Sequence, residues 1–189
     1  MAGRPRSIDR DRVLDAAESI VAESGAAGLS FEAVARAAGI TKGGVQYCFG
    51  TKENLIRAMI ERWGNAFETE VFAHSGSDRS PRSIIRGHLS ATRDSDEAEY
   101  SRSAVMMTAL LQSPDQVAAT RTWYTHRLAG LDMDDEDDRK AALAFLAGEG
   151  AFLLKAFGLI DLTEAQWTIL FADMLALAGE GKGGGSAGG

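Results

Sequence analysis

The chain has 189 residues, 45% of them hydrophobic, with three prolines and one cysteine. This composition excludes a disordered chain and supplies the core of one or two compact units, while the solitary Cys48 excludes an internal disulfide and a cysteine-only zinc centre. The net charge of −7 runs against nucleic-acid binding by bulk attraction, but it is unevenly placed: residues 1–62 carry nine Lys/Arg and eight Asp/Glu, and residues 63–189 carry eleven and nineteen. Physiological salt screens the distant acidic body, so a near-neutral N-terminal part can still meet phosphates if its cations are well placed. No apolar run of about 20 residues is present, and no apolar core follows the charged N-terminus. A cytoplasmic protein without a membrane span is expected.

Abundant Ala and Leu with few β-branched runs favour an all-α fold. Residues 1–7 are short and basic and read as an arm. The first helix starts near Ile8 or Asp9, with Val13, Leu14, Ala17, Ile20, Val21 and Ser24 at helical spacing, and Gly25 ends it. Ser30 caps a second helix that turns Ala33, Val34 and Ala37 inward. Gly39 and Ile40 lead to Thr41, which caps a short helix from Lys42 to about Cys48. Gly50 breaks that helix, and Thr51 caps a long fourth one through Leu55, Met59, Trp63 and Phe67. After the polar stretch 75–82, helices are predicted near 82–93, 95–112, 115–129, 135–158 and 163–178. Their starts are marked by Pro114, by the Asp-rich run 132–138, and by the capping-box pair Thr163 and Gln166. A Gly-rich tail spans 179–189.

Two short helices joined by a Gly-containing turn between Ser30 and Phe49 make a candidate helix-turn-helix, although on pattern alone a plain helical packing unit fits as well. The residues carry more than the pattern. Arg12-Val13-Leu14-Asp15-Ala16-Ala17, Glu23-Ser24-Gly25 and Leu29-Ser30-Phe31-Glu32-Ala33-Val34-Ala35 occur in order. They are followed by Ala38-Gly39-Ile40-Thr41-Lys42-Gly43 and Phe49-Gly50-Thr51-Lys52-Glu53-Asn54-Leu55-Ile56. In these segments the chain resembles the TetR family of transcriptional regulators, and the stretches 148–159 and 162–177 resemble the family's last two helices.

The resemblance implies about nine helices. A three-helix DNA-binding domain (1–51, with the arm at 1–7) would be joined by the long fourth helix to a helical ligand-binding and dimerisation domain (52–178). It implies a regulator, most often a repressor, that binds a palindromic operator in double-stranded DNA as a homodimer and is released by a small-molecule effector. Ser30 would cap its helix and touch a phosphate, Thr41 and Lys42 would meet the backbone, Gly43 would belong to the DNA-binding set, and Lys52 would hold a phosphate at a helix N-terminus. Gly44, Gln46 and Tyr47 would lie against the groove. The family more often has Thr at the position of Gly44 and Tyr at that of Gln46. Gln46 can pair with adenine or bind phosphate. Arg4 and Arg6 would enter an A·T-rich minor groove or add general attraction. Cys48 reads as a small packed hydrophobe or, alternatively, a thiol sensor.

In the body, Tyr100, Met106, Met107, Leu110, Trp123, His126 and Phe152 suit either an adaptable pocket or plain core. Glu149, set in an apolar run, could bind a ligand, pair with Arg127 or face solvent at a subunit edge. The last two helices are apolar on more than one face, and Phe145, Phe157, Trp167, Leu170, Phe171 and Met174 are expected at a dimer interface. A ligand among the middle helices would act on the fourth helix, 52–74. His74, His88 and His126 are scattered without metal spacing or a nucleophile motif, so no catalytic residue, metal or cofactor is expected, and the protein does not read as an enzyme.

Overall fold

A computed structural model describes residues 8–112 and 114–179. Among the described residues the chain is helical throughout, with no strand. In order the helices are α1 (Arg10–Gly28), α2 (Phe31–Ala38), α3 (Lys42–Phe49), α4 (Lys52–Ser75), α5 (Pro81–Arg93), α6 (Glu97–Gln112), α7 (Pro114–Leu128), α8 (Glu136–Ala156) and α9 (Glu164–Leu177). The expected arm, with Arg4 and Arg6, and the tail beyond Gly179 lie outside the described residues, as does the side chain of Leu110.

The helix starts follow the cap chemistry. Ser30 Oγ accepts from the Ala33 N–H at 3.2 Å, Thr41 Oγ1 from Gly44 at 3.1 Å and Thr51 Oγ1 from Asn54 at 3.2 Å. Each satisfies one of the orphan donors of a first helical turn, a contribution of about 1 kcal/mol. Asp135 caps α8, and Thr163 closes a full capping box with Gln166 on α9. Gly39 ends α2 at φ 69°, a left-handed conformation that suits glycine. Gly25, where α1 was expected to stop, is non-helical at φ 64°, and helical structure resumes beyond it to Gly28.

The chain forms two compact units. The first holds residues up to Gly64 together with 101–116. Its core joins Val13, Leu14, Ala17 and Val21 of α1 to Val34, Val45, Phe49, Leu55, Met59 and Val105. Arg62 ties α4 to α1 there, with its Nε donating to Glu18 at 2.7 Å and Nη1 to Asp15 at 2.8 Å. The second unit holds 65–100 and the chain from Val117 onward. Its core is built on Ile85, Leu89, Tyr100, Ala141, Ala144, Phe145, Trp167 and Phe171.

The last two helices depart from expectation. Phe145 and Phe171 are fully buried and Trp167 is 2% exposed within the single chain, so these three have no surface left for a partner. α8 turns Ala141, Ala144, Phe145 and Gly148 inward. At Gly148 an added Cβ would stand 2.6 Å from Leu89 Cδ2, so the glycine lets α8 close on α5. The opposite face of α8 carries Leu143, Leu146, Leu154 and Phe157, all exposed, and α9 exposes Ile169, Leu170 and Leu177. Phe157 and Leu170 therefore stay available from the expected set, and Met174 is half-buried against the core.

Candidate DNA-reading surface and buried polar cluster

Within the first unit, α2 and α3 meet at the Gly39 turn, and α3 is seated by Val45 and Phe49, both buried. Its outward face presents Gly43, Gln46 and Tyr47, with Tyr47 87% exposed. A large aromatic is left in water only at a cost in apolar hydration, and here no packing role accounts for it. Lys42, at the first turn of α3, pairs with Glu32 of α2 at 2.5 Å, and both side chains are well exposed. Lys42 pulls the Glu32 carboxyl below its ordinary value, first by its hydrogen bond. An exposed pair of this kind contributes little stability, so a phosphate can take the place of the carboxylate. Lys52 is exposed at the start of α4, beside the free N–H groups of that helix end.

Gly44 does not lie against the groove as expected. It is buried, and a Cβ added there would lie 3.0 Å from Ile8 Cδ1 and 3.4 Å from Ile40 Cδ1. The position faces Ile8, at the start of α1, and Ile40 rather than a groove. A further cation lies here: the Arg10 guanidinium stacks on the Phe49 ring at 4.8 Å, at the end of α3. Its place at the first turn of α1 gave no signal, since Phe49 is far off in sequence. Cys48 is half-buried and packs on the core of the first unit.

The residues expected to line a ligand site are divided between the two units. Met106 and Met107 are half-buried in the first unit, and His126 is exposed, so it is not part of a buried lining. In the second unit, Tyr100 and Phe152 form a ring pair at 5.2 Å. The Lys155 ammonium lies 4.7 Å from the Tyr100 ring and 4.4 Å from that of Trp167. Trp123 and Glu149 belong to a different group. Glu149 Oε1 is 2.6 Å from His88 Nε2, and Oε2 accepts from the Tyr124 hydroxyl. Of the three alternatives for Glu149, the pair with Arg127 is not the one formed: Arg127 bonds Glu68 of α4, which also accepts from Trp123 Nε1 at 2.9 Å. His88, not His126, is the buried histidine, ringed by Phe67, Phe145 and Trp123 at 5.0, 4.9 and 5.7 Å.

Burial pushes the Glu149 carboxyl up, but hydrogen bonds from His88 and Tyr124 and the charges of His88 and Arg127 outweigh it and hold it below 4.5. The same burial, joined by the Glu149 charge, raises the Tyr124 phenol far above its ordinary 10.0 and keeps it a neutral donor. A carboxyl lowered on folding stabilises the fold above its unfolded value, and that contribution disappears as pH falls through the folded value. Urea denaturation at pH 6 and pH 4 should therefore show a smaller acid loss in Glu149→Gln than in wild type. An equal loss would mean that Glu149 is not ionised in the fold.

Comparison with known proteins agrees with this architecture. A model described as Bacterial regulatory proteins, tetR family, matches residues 13–59, and one described as Tetracyclin repressor-like, C-terminal domain, matches residues 82–179. The HTH-type transcriptional regulator SrpR of Pseudomonas putida is 25% identical over 92 residues, which cover 49% of this chain; the chain spans 43% of that regulator's length. A transcriptional regulator from Rhodococcus sp. Rha1 superposes with a TM-score of 0.70 at 19% identity, covering 90% of this chain and 95% of its own. The multidrug binding protein EbrR, solved with malachite green, gives 0.62 at 24% identity over 92% of this chain and 98% of its own. The second of the two models alone accounts for just over half of the sequence. The chain belongs to the TetR family and is a DNA-binding transcriptional regulator.

Proposed function

We propose that the protein is a repressor that binds a palindromic operator as a dimer and lets go when a small molecule occupies its C-terminal region. Residues 1–51 read DNA, and residues 52–178 sense the ligand and dimerise. The observation that carries the reading is the outward pair Gln46 and Tyr47 on a capped, core-anchored helix, flanked by Lys42 and Lys52. Side chains so placed contact base edges while the lysines and the hydroxyls of Ser30 and Thr41 fix the register on phosphates. Ligand control requires the effector to bind the DNA-competent and DNA-incompetent states with different affinity. A fold shared with EbrR, a protein seen with malachite green, supports a small-molecule input.

The dimer rests on the outer faces of α8 and α9. Leu143 and Leu146 are 59% and 57% exposed and Ile169 is 61% exposed, on helices whose other faces already fill the core. Helix faces with several exposed large apolar side chains fit an association site. Pairing of these helices with their copies gives a two-fold interface and two half-site readers, about 34–36 Å apart on DNA. Leu146→Glu is expected to give a folded monomer in sedimentation, with operator binding lost at concentrations where wild type binds. The reading is tested by selecting bound sequences from a random duplex library with the full chain. A palindromic consensus is expected; sequence-independent retention, or a single unrepeated site, would overturn it.

A further inference from the structure

The second unit buries an ionic cluster that DNA reading does not use. Glu68 of α4, His88 of α5, Tyr124 and Arg127 of α7 and Glu149 of α8 converge on Trp123. Apolar side chains of the same volume would hold four helices together at least as well, so such a cluster is poor evidence for a purely stabilising role. Two of its nitrogens, His88 Nδ1 and Arg127 Nε, are buried and have no hydrogen-bond partner among the described residues. His88 is 2% exposed and Arg127 9%. Buried polar atoms are nearly always paired, so two in one cluster point to a partner that the chain itself does not supply.

The chemistry of that partner follows from the two atoms. The ionised Glu149 takes the Nε2–H of His88, which leaves Nδ1 to accept in a neutral ring or to donate in an imidazolium. Arg127 Nε can only donate. Both side chains border one indole: the His88 ring is 5.7 Å and the guanidinium carbon 4.8 Å from the Trp123 ring. A carboxylic acid answers both, with its O–H toward Nδ1 and its other oxygen accepting from Nε–H. If the proton passes to Nδ1, a carboxylate faces an imidazolium and a guanidinium, and the partners are unchanged. A cation satisfies neither demand at Arg127, whose guanidinium also repels it. The rings of Phe67, Phe145 and Trp123 around His88 suit an aromatic body.

We infer that this cluster is the effector site and that it takes a small aromatic carboxylic acid; the inference rests on the ligand-responsive reading above. The test is calorimetric titration of the full-length protein with 2-naphthoic acid, its methyl ester and 2-naphthylmethylamine. The acid should bind about tenfold more tightly than either of the others, a difference of about 1.4 kcal/mol. His88→Gln keeps an N–H for Glu149 but has no atom in the place of Nδ1, and it should lower acid affinity about tenfold. Equal or tighter binding of the ester or amine, binding of none of the three at millimolar concentration, or unchanged acid affinity in His88→Gln overturns the inference. The wild-type ranking decides the matter even if the variant does not fold. Operator release measured in parallel separates the two claims. Acid that binds without releasing DNA defeats the release mechanism and leaves the site standing, whereas release by the amine does the reverse.

Discussion

Tyr47→Ala is expected to weaken operator binding at least thirtyfold and to leave the melting temperature unchanged. The side chain is 87% exposed, so its removal takes nothing from the core. A good base-edge contact discriminates by about 1–3 kcal/mol, and the proposed dimer would carry the substitution twice, so about 2–6 kcal/mol is at stake. Fluorescence anisotropy with the selected operator at several salt concentrations checks this. Loss of a base contact lowers affinity but keeps the salt slope, whereas Lys52→Ala should reduce the slope by about one per subunit and act alike on all sequences. Val45→Ala is the contrasting control: that residue is fully buried, one step before Gln46, and its truncation should lower stability. A Tyr47→Ala protein that binds operator as well as wild type would remove Tyr47 from the reading face.

Trp167→Ala is expected to destabilise the fold by about 3–5 kcal/mol. Trp167 packs on Phe171 with ring centroids 4.5 Å apart and donates its Nε1–H to the carbonyl of Arg93 at 2.9 Å, closing the end of α5 onto α9. Lys155 lies over the same ring. Domains hold only about 5–15 kcal/mol in total, so this single truncation removes a large share. Urea denaturation should show a lower midpoint with the slope retained. The loss should be equally large in a Leu146→Glu background, since Trp167 acts within one chain. A loss that vanished in the monomeric background would return Trp167 to the subunit interface.

Much of the fold is written in local signals. Ser30, Thr41, Thr51 and Thr163 each cap a helix start where the sequence marks one, and Pro114 opens α7. These residues satisfy backbone groups within three positions of themselves, so no tertiary knowledge is needed to place them. The faces of α8 and α9 were not legible in the same way. Phe145 and Leu146 are neighbours and both apolar, yet one is fully buried and the other 57% exposed. When a helix is apolar on two sides, its period cannot say which side meets the chain's own core. The polar cluster was hidden for another reason. His88 and Glu149 are 61 residues apart and Tyr124 is 25 from Glu149, and no periodicity links such partners. Gly44 misled because a residue without a side chain carries no polarity to mark its face.

The packing of Gly44 against Ile8 also bears on chimeras. Specificity is commonly retargeted by moving a recognition helix as a cassette. Here the cassette would not be self-contained: a donor helix with any side chain at position 44 brings a Cβ 3.0 Å from Ile8 Cδ1, which must give by a few tenths of an ångström. Grafts into this scaffold should therefore carry a smaller residue at position 8 along with the new α3. Grafts out of it should leave a methyl-sized gap beneath the recipient's first helix.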